Sequence, residues 1–170
     1  MDLKAYIRDV PDFPKKGIVF KDITPLLGAP EALEYTVSAL AEPFRAQNVT
    51  RVAAIESRGF IFGSCVARLL GAGFVPIRKP GKLPWTTRRN EYILEYGTDA
   101  LEIHDDALAA DDRVLLIDDV LATGGTAAAA SCLVQESGAT LVGVATVIEL
   151  SFLNGRTRLN GILVHSLISY

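Results

Sequence analysis

The sequence has few of the residues that build disulfide frameworks and metal cages. Only two cysteines, Cys65 and Cys132, and two histidines occur in 170 residues. The cysteine spacing matches neither a zinc site nor a disulfide framework, so we expect buried free thiols and a reducing compartment. No apolar run approaches the length of a membrane span, and the charged segment 1–10 is unlike a signal peptide. These absences predict a cytoplasmic protein.

The chain also lacks an excess of positive charge. Its 17 basic and 20 acidic residues give a net charge of −3 at pH 7. This balance gives no support for a nucleic-acid or membrane partner, since both attract basic surfaces. A phosphorylated ligand would instead meet local groups of lysine and arginine. The length and the 49% share of hydrophobic residues fit a single domain over residues 1–170, which buries roughly two thirds of its unfolded surface.

Segments typical of strands and helices alternate along the chain. Helix patterns begin at Pro30 and cover residues 59–70 and 127–137. A hairpin pattern with a turn at 97–99 follows an irregular stretch at 80–90. Apolar runs predict strands over 51–56, 74–78, 114–118, 141–148 and 162–167, and alternation predicts the hairpin strands 92–96 and 100–104. This order predicts an α/β domain with a mostly parallel central sheet flanked by helices.

The most informative segment is VLLIDDVLATGGT, residues 114–126. Its apolar run ends at the adjacent carboxylates of Asp118 and Asp119, and a loop of small residues at 122–126 then leads into a helix. At the carboxyl end of a parallel strand, such a loop presents backbone N–H groups to an anion, which is typical of phosphate binding. The two carboxylates would repel phosphate and are better suited to hydroxyl groups or a cation. Together these features predict a sugar-phosphate site.

Each part of this segment also has a simpler interpretation. A Gly-Gly pair after a strand is often only a turn, and two aspartates are often a solvated strand end. The loop matches neither the ATPase phosphate-loop pattern nor the dinucleotide-binding pattern. The occurrence of both features in one strand–turn–helix unit is what favours phosphate binding.

Basic side chains follow two other predicted strands. Arg58 lies in a tight Ser-Arg-Gly turn, Arg78 ends the 74–78 strand with Lys79 directly after it, and Lys82 lies in the irregular stretch. Because ligands bind at the carboxyl ends of strands in such sheets, these cations could meet phosphate groups there. A solvated surface run is the alternative. The length of the irregular stretch favours a lid over the site, and Trp85 is either a lid contact or a subunit contact.

Residues 114–126 resemble the ribose-phosphate signature of the type I phosphoribosyltransferases. Further stretches resemble, in order, the adenine-specific members of that family. They are FP at 13–14 with GIVFKDITPLL at 17–27, ESRGF at 56–60, IRKPGKLP at 77–84 and LEYG at 94–97. The similarity runs from about Pro11 to the C-terminus. It implies the type I phosphoribosyltransferase fold, with a small N-terminal hood and a flexible loop over the site.

The resemblance implies a role for each matched residue. Residues 1–30 would form a base-binding segment, residues 79–96 a lid, and the peptide that enters Ser57 is commonly cis in the family. Phosphoribosyl pyrophosphate would be bound by Arg58, Arg78, Lys79, Lys82, Ala122, Thr123, Gly124, Gly125 and Thr126. Adenine would be held by Val19, Phe20, Lys21 and Val120, of which Lys21 stands where many members have arginine. Glu95, Asp118 and Asp119 would be catalytic, and Tyr96 would close with the lid.

The implied activity is that of a purine-salvage pentosyltransferase. It transfers 5-phosphoribose from phosphoribosyl pyrophosphate to N9 of adenine and yields AMP and pyrophosphate. Mg²⁺ would arrive on the pyrophosphate with few protein ligands, so no metal site made of side chains is expected. A homodimer is implied, with Arg78 either in its own site or shared with the neighbouring subunit.

Two other functions stay open from the residues alone. One is a phosphoribosyltransferase for xanthine or guanine, which would share the signature but need a different base pocket. The other is a regulator that senses phosphoribosyl pyrophosphate without catalysis. For the adenine enzyme itself, Glu95 is an acid, a base or a positioning group for the purine.

Overall fold

A computed structural model describes residues 1–94 and 97–170, and its centre is a five-stranded parallel sheet with the order β4-β3-β7-β8-β9. The strands are β1 (Arg8–Pro11), β2 (Val19–Asp22), β3 (Arg51–Ile55), β4 (Gly73–Ile77), β5 (Thr87–Leu94), β6 (Gly97–His104), β7 (Arg113–Leu121), β8 (Thr140–Glu149) and β9 (Val164–Ser169). The helices are α1 (Thr24–Gly28), α2 (Pro30–Ala41), α3 (Gly59–Leu70) and α4 (Gly125–Glu136), with short 3₁₀ turns at Leu3–Tyr6, Glu42–Phe44, Ser151–Leu153 and Gly155–Leu159. The predicted α/β class with a parallel sheet is confirmed.

The central strand β7 is buried on both faces of the sheet. Val114 and Leu116 belong to the core that α4 and the β5–β6 hairpin cover. Leu115 and Ile117 belong to the core on the opposite face, under α2 and α3. Because side chains alternate along a strand, one apolar run supplies both cores, and all four side chains are fully buried.

Strand β7 extends past its predicted end at residue 118 and finishes at Leu121. Its pairing with β3 stops at Ala54 and Ile117, whereas its pairing with β8 continues to Leu121 and Glu149. The last part of β7 is therefore bonded on one side only. This explains both the extra length and the open edge beside Asp118.

The β5–β6 hairpin is present, but its strands are longer than predicted. β5 begins at Thr87, inside the stretch predicted as irregular, and residues 97–99 lie within β6 rather than in a turn. The register from Thr87 opposite His104 to Leu94 opposite Gly97 accounts for the added length. Cross-strand pairing overrides the local turn preference of the Gly-Thr-Asp sequence.

A second antiparallel hairpin, β1–β2, lies near the N-terminus and pairs Val10 with Phe20 and Asp9 with Lys21. The sequence patterns do not predict it because each strand has only four residues. The hairpin holds the predicted base-binding residues on β2. It therefore gives a structural form to part of the segment 1–30.

The prediction that Cys65 and Cys132 are buried is wrong, since both are exposed free thiols. The two residues do lie in helices, as expected. However, the buried stripes of α3 and α4 run through other positions, such as Phe62 and Val66 in α3 and Leu133 in α4. Among residues 1–94 and 97–170, no helix has the length and hydropathy required to cross a membrane.

Asp112 joins the amino ends of β3 and β7. Its carboxylate accepts hydrogen bonds from the Thr50 hydroxyl at 2.7 Å and from the Ala109 N–H at 2.9 Å, and Arg51 lies 3.6 Å away. Burial raises the pKa of Asp112, but these hydrogen bonds and Arg51 outweigh it and leave the pKa below its usual value. Asp112 is thus a structural clasp at the end of the sheet opposite Asp118.

We expect Asp112→Ala to lower the free energy of unfolding by about 1–3 kcal/mol, because the Thr50 hydroxyl and the Ala109 N–H lose their partner. Urea unfolding at neutral pH measures the loss. The exposed neighbour Asp111 provides the control, and Asp111→Ala should change stability by less than about 0.5 kcal/mol. Equal stability of the two variants would contradict the clasp.

Candidate active site

The site lies where the chain leaves β3 and β7 in opposite directions. β3 leads into α3, which packs on one face of the sheet, and β7 leads into α4, which packs on the other. Such a switch point opens a crevice beyond the carboxyl ends of the strands. A cavity of about 410 Å³ occupies it.

Many of the predicted site residues line this one cavity. The predicted residues at its wall are Arg58, Lys79, Asp118, Asp119, Val120, Ala122, Thr123, Gly124, Gly125 and Thr126. The wall also includes Ile55, Glu56, Ser57, Leu121 and Ala127. Residues far apart in the sequence are thus gathered as the sugar-phosphate interpretation requires.

Other predicted site residues lie outside the cavity wall. Arg78 and Lys82 are on the approach from β4, and Val19, Phe20 and Lys21 are on β2. Glu95 and Tyr96 lie outside the described residues. Their predicted roles stay predictions.

The turn after β3 brings Arg58 against the acidic pair. The peptide bond between Glu56 and Ser57 is cis, as the resemblance implies. Gly59 then begins α3, and a Cβ on it would lie 3.0 Å from the Ile117 carbonyl oxygen and 3.1 Å from Asp118 Oδ1. This close approach places Arg58 Nε 2.6 Å from Asp119 Oδ2.

The two carboxylates are in an environment that disfavours their charge. Burial, followed by the neighbouring Asp119, raises the pKa of Asp118 well above its usual value. Burial also raises the pKa of Asp119, although Arg58 opposes the shift. Without a ligand, the open edge of β7 therefore favours a proton on Asp118. A cation or hydroxyl donors at this edge would stabilise the ionised form.

The phosphate-type loop is shorter than predicted because α4 begins at Gly125, not at residue 127. Gly125 and Thr126 thus contribute the free N–H groups of a helix N-terminus, which attract anions. Gly124 before them has a left-handed φ of +81°, which favours glycine. The loop and the first helical turn form one wall of the cavity.

Residues 149–156, which the sequence patterns do not single out, pack against this loop on the side away from the cavity. A Cβ on Gly155 would lie 2.2 Å from the Ala122 carbonyl oxygen, and a Cβ on Gly124 would lie 2.3 Å from the Gly155 oxygen. The Arg156 guanidinium binds both carboxylate oxygens of Glu149, each at 2.7 Å, and anchors the segment to the end of β8. We call residues 149–156 the loop brace. Its only sequence signal is a Gly-Arg pair after a strand.

The three predicted lid cations have different environments. Arg78 Nε donates to Glu56 Oε2 at 2.5 Å, and Arg78 Nη1 donates to the Lys82 carbonyl at 3.1 Å. Lys79 reaches the cavity wall, where its ammonium group pairs with Asp99. The Lys82 side chain is exposed. Of these cations, Lys79 is the one already at the cavity.

Of the residues on β2, Phe20 lies beside Arg58, which lines the cavity. The Arg58 guanidinium carbon lies 5.1 Å from the Phe20 ring centroid, and Val19 is exposed. The Lys21 side chain points elsewhere, since its ammonium group donates to Asp9 at 2.7 Å and lies 3.9 Å from the Tyr170 ring centroid. Lys21 can therefore offer its backbone, rather than its side chain, to a ligand beside Phe20.

We expect Gly155→Ala to lower the free energy of unfolding by about 2 kcal/mol, because the new methyl group overlaps the Ala122 carbonyl. Inorganic phosphate should raise the unfolding temperature of the wild type but stabilise the variant much less, since the loop is displaced. Thermal unfolding with and without phosphate measures both effects. Gly28→Ala is the control, because a Cβ there meets nothing within 4 Å, and a full phosphate response in Gly155→Ala would contradict the brace.

Comparisons with known proteins agree with this geometry. The family described as the phosphoribosyl transferase domain matches residues 31–158. An adenine phosphoribosyltransferase of Anaeromyxobacter dehalogenans is 57% identical over 168 residues, which cover 99% of this chain and 98% of the relative. One from Gloeobacter violaceus is 57% identical over the full length of both chains.

Solved structures give the same result for the fold. The crystal structure of adenine phosphoribosyltransferase from Rhodothermus marinus matches with a TM-score of 0.95 at 55% identity, covering 99% of this chain and 96% of its own. The Saccharomyces cerevisiae enzyme, complexed with an imino-altritol bisphosphate and adenine, matches with a TM-score of 0.92 at 41% identity, covering 98% and 96%. The chain therefore has the type I phosphoribosyltransferase fold and belongs to the adenine phosphoribosyltransferases, a family of pentosyltransferases.

Proposed function

We propose that this chain carries out the reaction of its family at the cavity between β3 and β7. The acidic pair and the loop 122–126 hold the sugar phosphate there. The observation that carries the proposal is the meeting of Arg58, the acidic pair and the 122–126 loop around one cavity of about 410 Å³. The reaction joins the 5-phosphoribosyl group of phosphoribosyl pyrophosphate to N9 of adenine. AMP and pyrophosphate are the products.

The 5-phosphate binds at the loop 122–126. Backbone N–H groups of Gly125 and Thr126 at the start of α4 face the phosphate. The Thr126 hydroxyl, which donates to the Tyr92 hydroxyl at 3.3 Å in the free protein, would turn to donate to the phosphate. The brace keeps this loop in position before the ligand arrives. Pre-positioned N–H groups need no reorganisation during the reaction, which favours catalysis.

The carboxylates of Asp118 and Asp119 accept hydrogen bonds from the ribose hydroxyls. They also stabilise the positive charge that develops on the ribose ring as the bond from C1 to pyrophosphate breaks. This charge is largest in the transition state, so the carboxylates raise turnover more than ground-state binding. Their raised pKa values mean that this stabilisation is stronger at a pH where both are ionised.

The pyrophosphate group faces Arg58 and Lys79 at the cavity wall, with Lys82 and Arg78 on the approach. Among residues 1–94 and 97–170, no three acidic, histidine or cysteine side chains are grouped for a metal ion. Two adjacent carboxylates do supply oxygen ligands of the kind that Mg²⁺ prefers, with room for waters. Mg²⁺ carried by the pyrophosphate would fit here, with Asp118 and Asp119 as nearby oxygen ligands, and it would supply positive charge to neutralise the leaving group.

Adenine lies between Phe20 and Val120, and the backbone of Val19 and Lys21 reads its edge. The engagement of the Lys21 side chain with Asp9 supports a backbone role. A donor and an acceptor on the backbone match the exocyclic amine and ring nitrogen of adenine. A 6-oxo purine would leave these groups unpaired, which disfavours guanine and xanthine.

Glu95 assists the loss of the N9 proton, and Tyr96 closes over the base with the lid predicted at residues 79–96. The closing movement belongs to the part of that lid outside β5, because Thr87–Leu94 pair with β6 and Tyr92 is buried in the core. These two roles depend on the resemblance, because both residues lie outside the described ones. Exclusion of water by the lid would protect the developing cation from hydrolysis.

The assembly is a homodimer, and the compartment is the cytoplasm. Support for the dimer comes from large apolar side chains exposed on α3 and at the edge strand β4, namely Ile61, Leu69 and Phe74. Trp85, 66% exposed, lies in the segment between β4 and β5. Support for the cytoplasm comes from the two free thiols, which suit a reducing compartment.

A panel of bases tests the reaction. With phosphoribosyl pyrophosphate and Mg²⁺, we expect kcat/KM for adenine to exceed that for guanine, hypoxanthine and xanthine by about 10³-fold or more. Pyrophosphate release, corrected for a reaction without enzyme, is the measurement. Faster turnover of guanine would reject the adenine assignment, and no release with any base would favour the non-catalytic regulator.

Asp118→Asn tests the acidic pair through opposite effects on turnover and stability. We expect kcat to fall about 10²- to 10³-fold, because the developing charge loses a carboxylate. The variant should nevertheless be more stable than the wild type near pH 8. A raised pKa means that the folded protein binds a proton more tightly than the unfolded chain, so wild-type stability falls as pH rises through the raised pKa.

The stability difference should shrink toward about pH 4, where the wild-type carboxyl is protonated. Urea unfolding across this pH range, without ligand, measures it. The exposed Asp106 offers a matched control, since Asp106→Asn removes the same charge outside the cavity. An unchanged kcat would remove Asp118 from the reaction, and a pH-independent stability difference would contradict its raised pKa.

A further inference from the structure

Four polar side chains connect the phosphate loop to the β5–β6 hairpin. The Thr126 hydroxyl lies 3.3 Å from the Tyr92 hydroxyl, which in turn donates to Asp99 Oδ2 at 3.1 Å. The Lys79 ammonium group donates to the same Asp99 oxygen and to the Tyr92 hydroxyl at 3.3 Å. The sequence predicts no individual role for Tyr92 or Asp99, although Tyr92 lies within the predicted lid 79–96.

The cluster is ionic rather than neutral. Burial lowers the pKa of Lys79, but Asp99 and Tyr92 outweigh it and leave the pKa raised. Burial raises the pKa of Asp99, but Lys79 and the Ala100 N–H outweigh it and leave the pKa lowered. Lys79 therefore carries its charge at the cavity wall, and an internal carboxylate already neutralises that charge.

Asp99 is the fixed member of the pair. Its second oxygen accepts the Ala100 N–H at 2.8 Å, and Tyr92, directly opposite on β5, donates to the first. The hairpin is tied to the body beside Asp99, because the Tyr92 side chain is buried in the core that α4 covers. Lys79 has a long flexible side chain that is 38% exposed. When the pair opens, Lys79 is thus the group that moves.

We propose that Asp99 is an internal counter-anion that competes with the pyrophosphate group for Lys79 and thereby weakens pyrophosphate binding. The inference rests on the proposed function, since it assumes that pyrophosphate lies beside Lys79. Pyrophosphate gains the lysine only by displacing a carboxylate that the hairpin holds in place. On release of the product, Asp99 takes the ammonium group back.

Competition and positioning by Asp99 predict opposite results for the same variant. If Asp99 competes, its removal frees Lys79 and also removes a like charge from the neighbourhood of the pyrophosphate. If Asp99 instead orients Lys79 toward pyrophosphate, its removal weakens binding. The geometry favours competition. Asp99 and Tyr92, the partners of the Lys79 ammonium group, both lie on the hairpin, so they hold this group at the hairpin and pyrophosphate must draw it away.

Asp99→Asn tests the proposal, with isothermal titration by magnesium pyrophosphate and with product-inhibition kinetics. We expect the dissociation constant and the inhibition constant of pyrophosphate to fall about three- to tenfold. KM for phosphoribosyl pyrophosphate should fall in parallel, with KM for adenine unchanged. Asp105→Asn is the matched control, because it removes the same charge and the ion pair with Arg88 on the same hairpin, outside the cavity. It should alter pyrophosphate binding less than twofold.

A double-mutant cycle identifies the role of Lys79. Lys79→Met should weaken pyrophosphate binding, and Asp99→Asn in that background should then have less than a twofold effect. The same gain in both backgrounds would mean simple charge repulsion and would overturn the competition. Weaker binding in Asp99→Asn, or a change equal to that in Asp105→Asn, would overturn it as well. Failure of the wild type to bind pyrophosphate would instead reject the proposed function.

Discussion

The rest of the site depends on one feature of the sheet, the single-sided pairing of the end of β7. Because β3 stops pairing at Ile117 while β8 continues to Leu121, the strand carries two carboxylates into a half-open crevice. Desolvation there disfavours their charge, and together with the neighbouring Asp119 it raises the pKa of Asp118 in the free protein. Hydroxyl groups and a developing positive charge on the ligand stabilise the ionised carboxylates, which are otherwise unfavourable in this crevice. The same geometry that destabilises the free protein thus supplies preference for the transition state.

The neighbouring elements position this unfavourable group without neutralising it. Gly59 lets α3 approach β7 closely enough for Arg58 to reach Asp119, yet Asp118 keeps no basic partner of its own among the ion pairs of the described residues. On the other side, the brace fixes the phosphate loop through contacts between Gly155 and Ala122 that leave no room for a side chain. Arg156 holds the brace through Glu149 at the end of β8. Both walls of the cavity are therefore set by backbone packing, which the ligand need not reorganise.

The part of the site that is local in sequence could be predicted, and the part that depends on distant contacts could not. Residues 114–126 combine a continuous apolar run, carboxylates and small residues in one segment, so strand, acidic pair and loop follow from pattern alone. The extension of β7 to Leu121 depends on β8, and the start of β5 at Thr87 depends on β6. The burial expected for Cys65 was wrong because helix pattern alone does not determine which face packs. The brace and the Asp99 cluster join residues that are distant in the sequence, and no local sequence pattern marks these residues as neighbours.

The opposite charges of Lys79 and Asp99 beside the pyrophosphate show how a reversible transferase limits its affinity for one end of its substrate. Strong anion recognition at both the phosphate loop and Lys79 would hold substrate and product alike, and uniform binding does not raise turnover. An internal carboxylate against Lys79 reduces the net attraction for pyrophosphate while leaving the phosphate loop unaffected. The affinity for pyrophosphate can thus be adjusted separately, and pyrophosphate is a product that must depart before the next substrate binds.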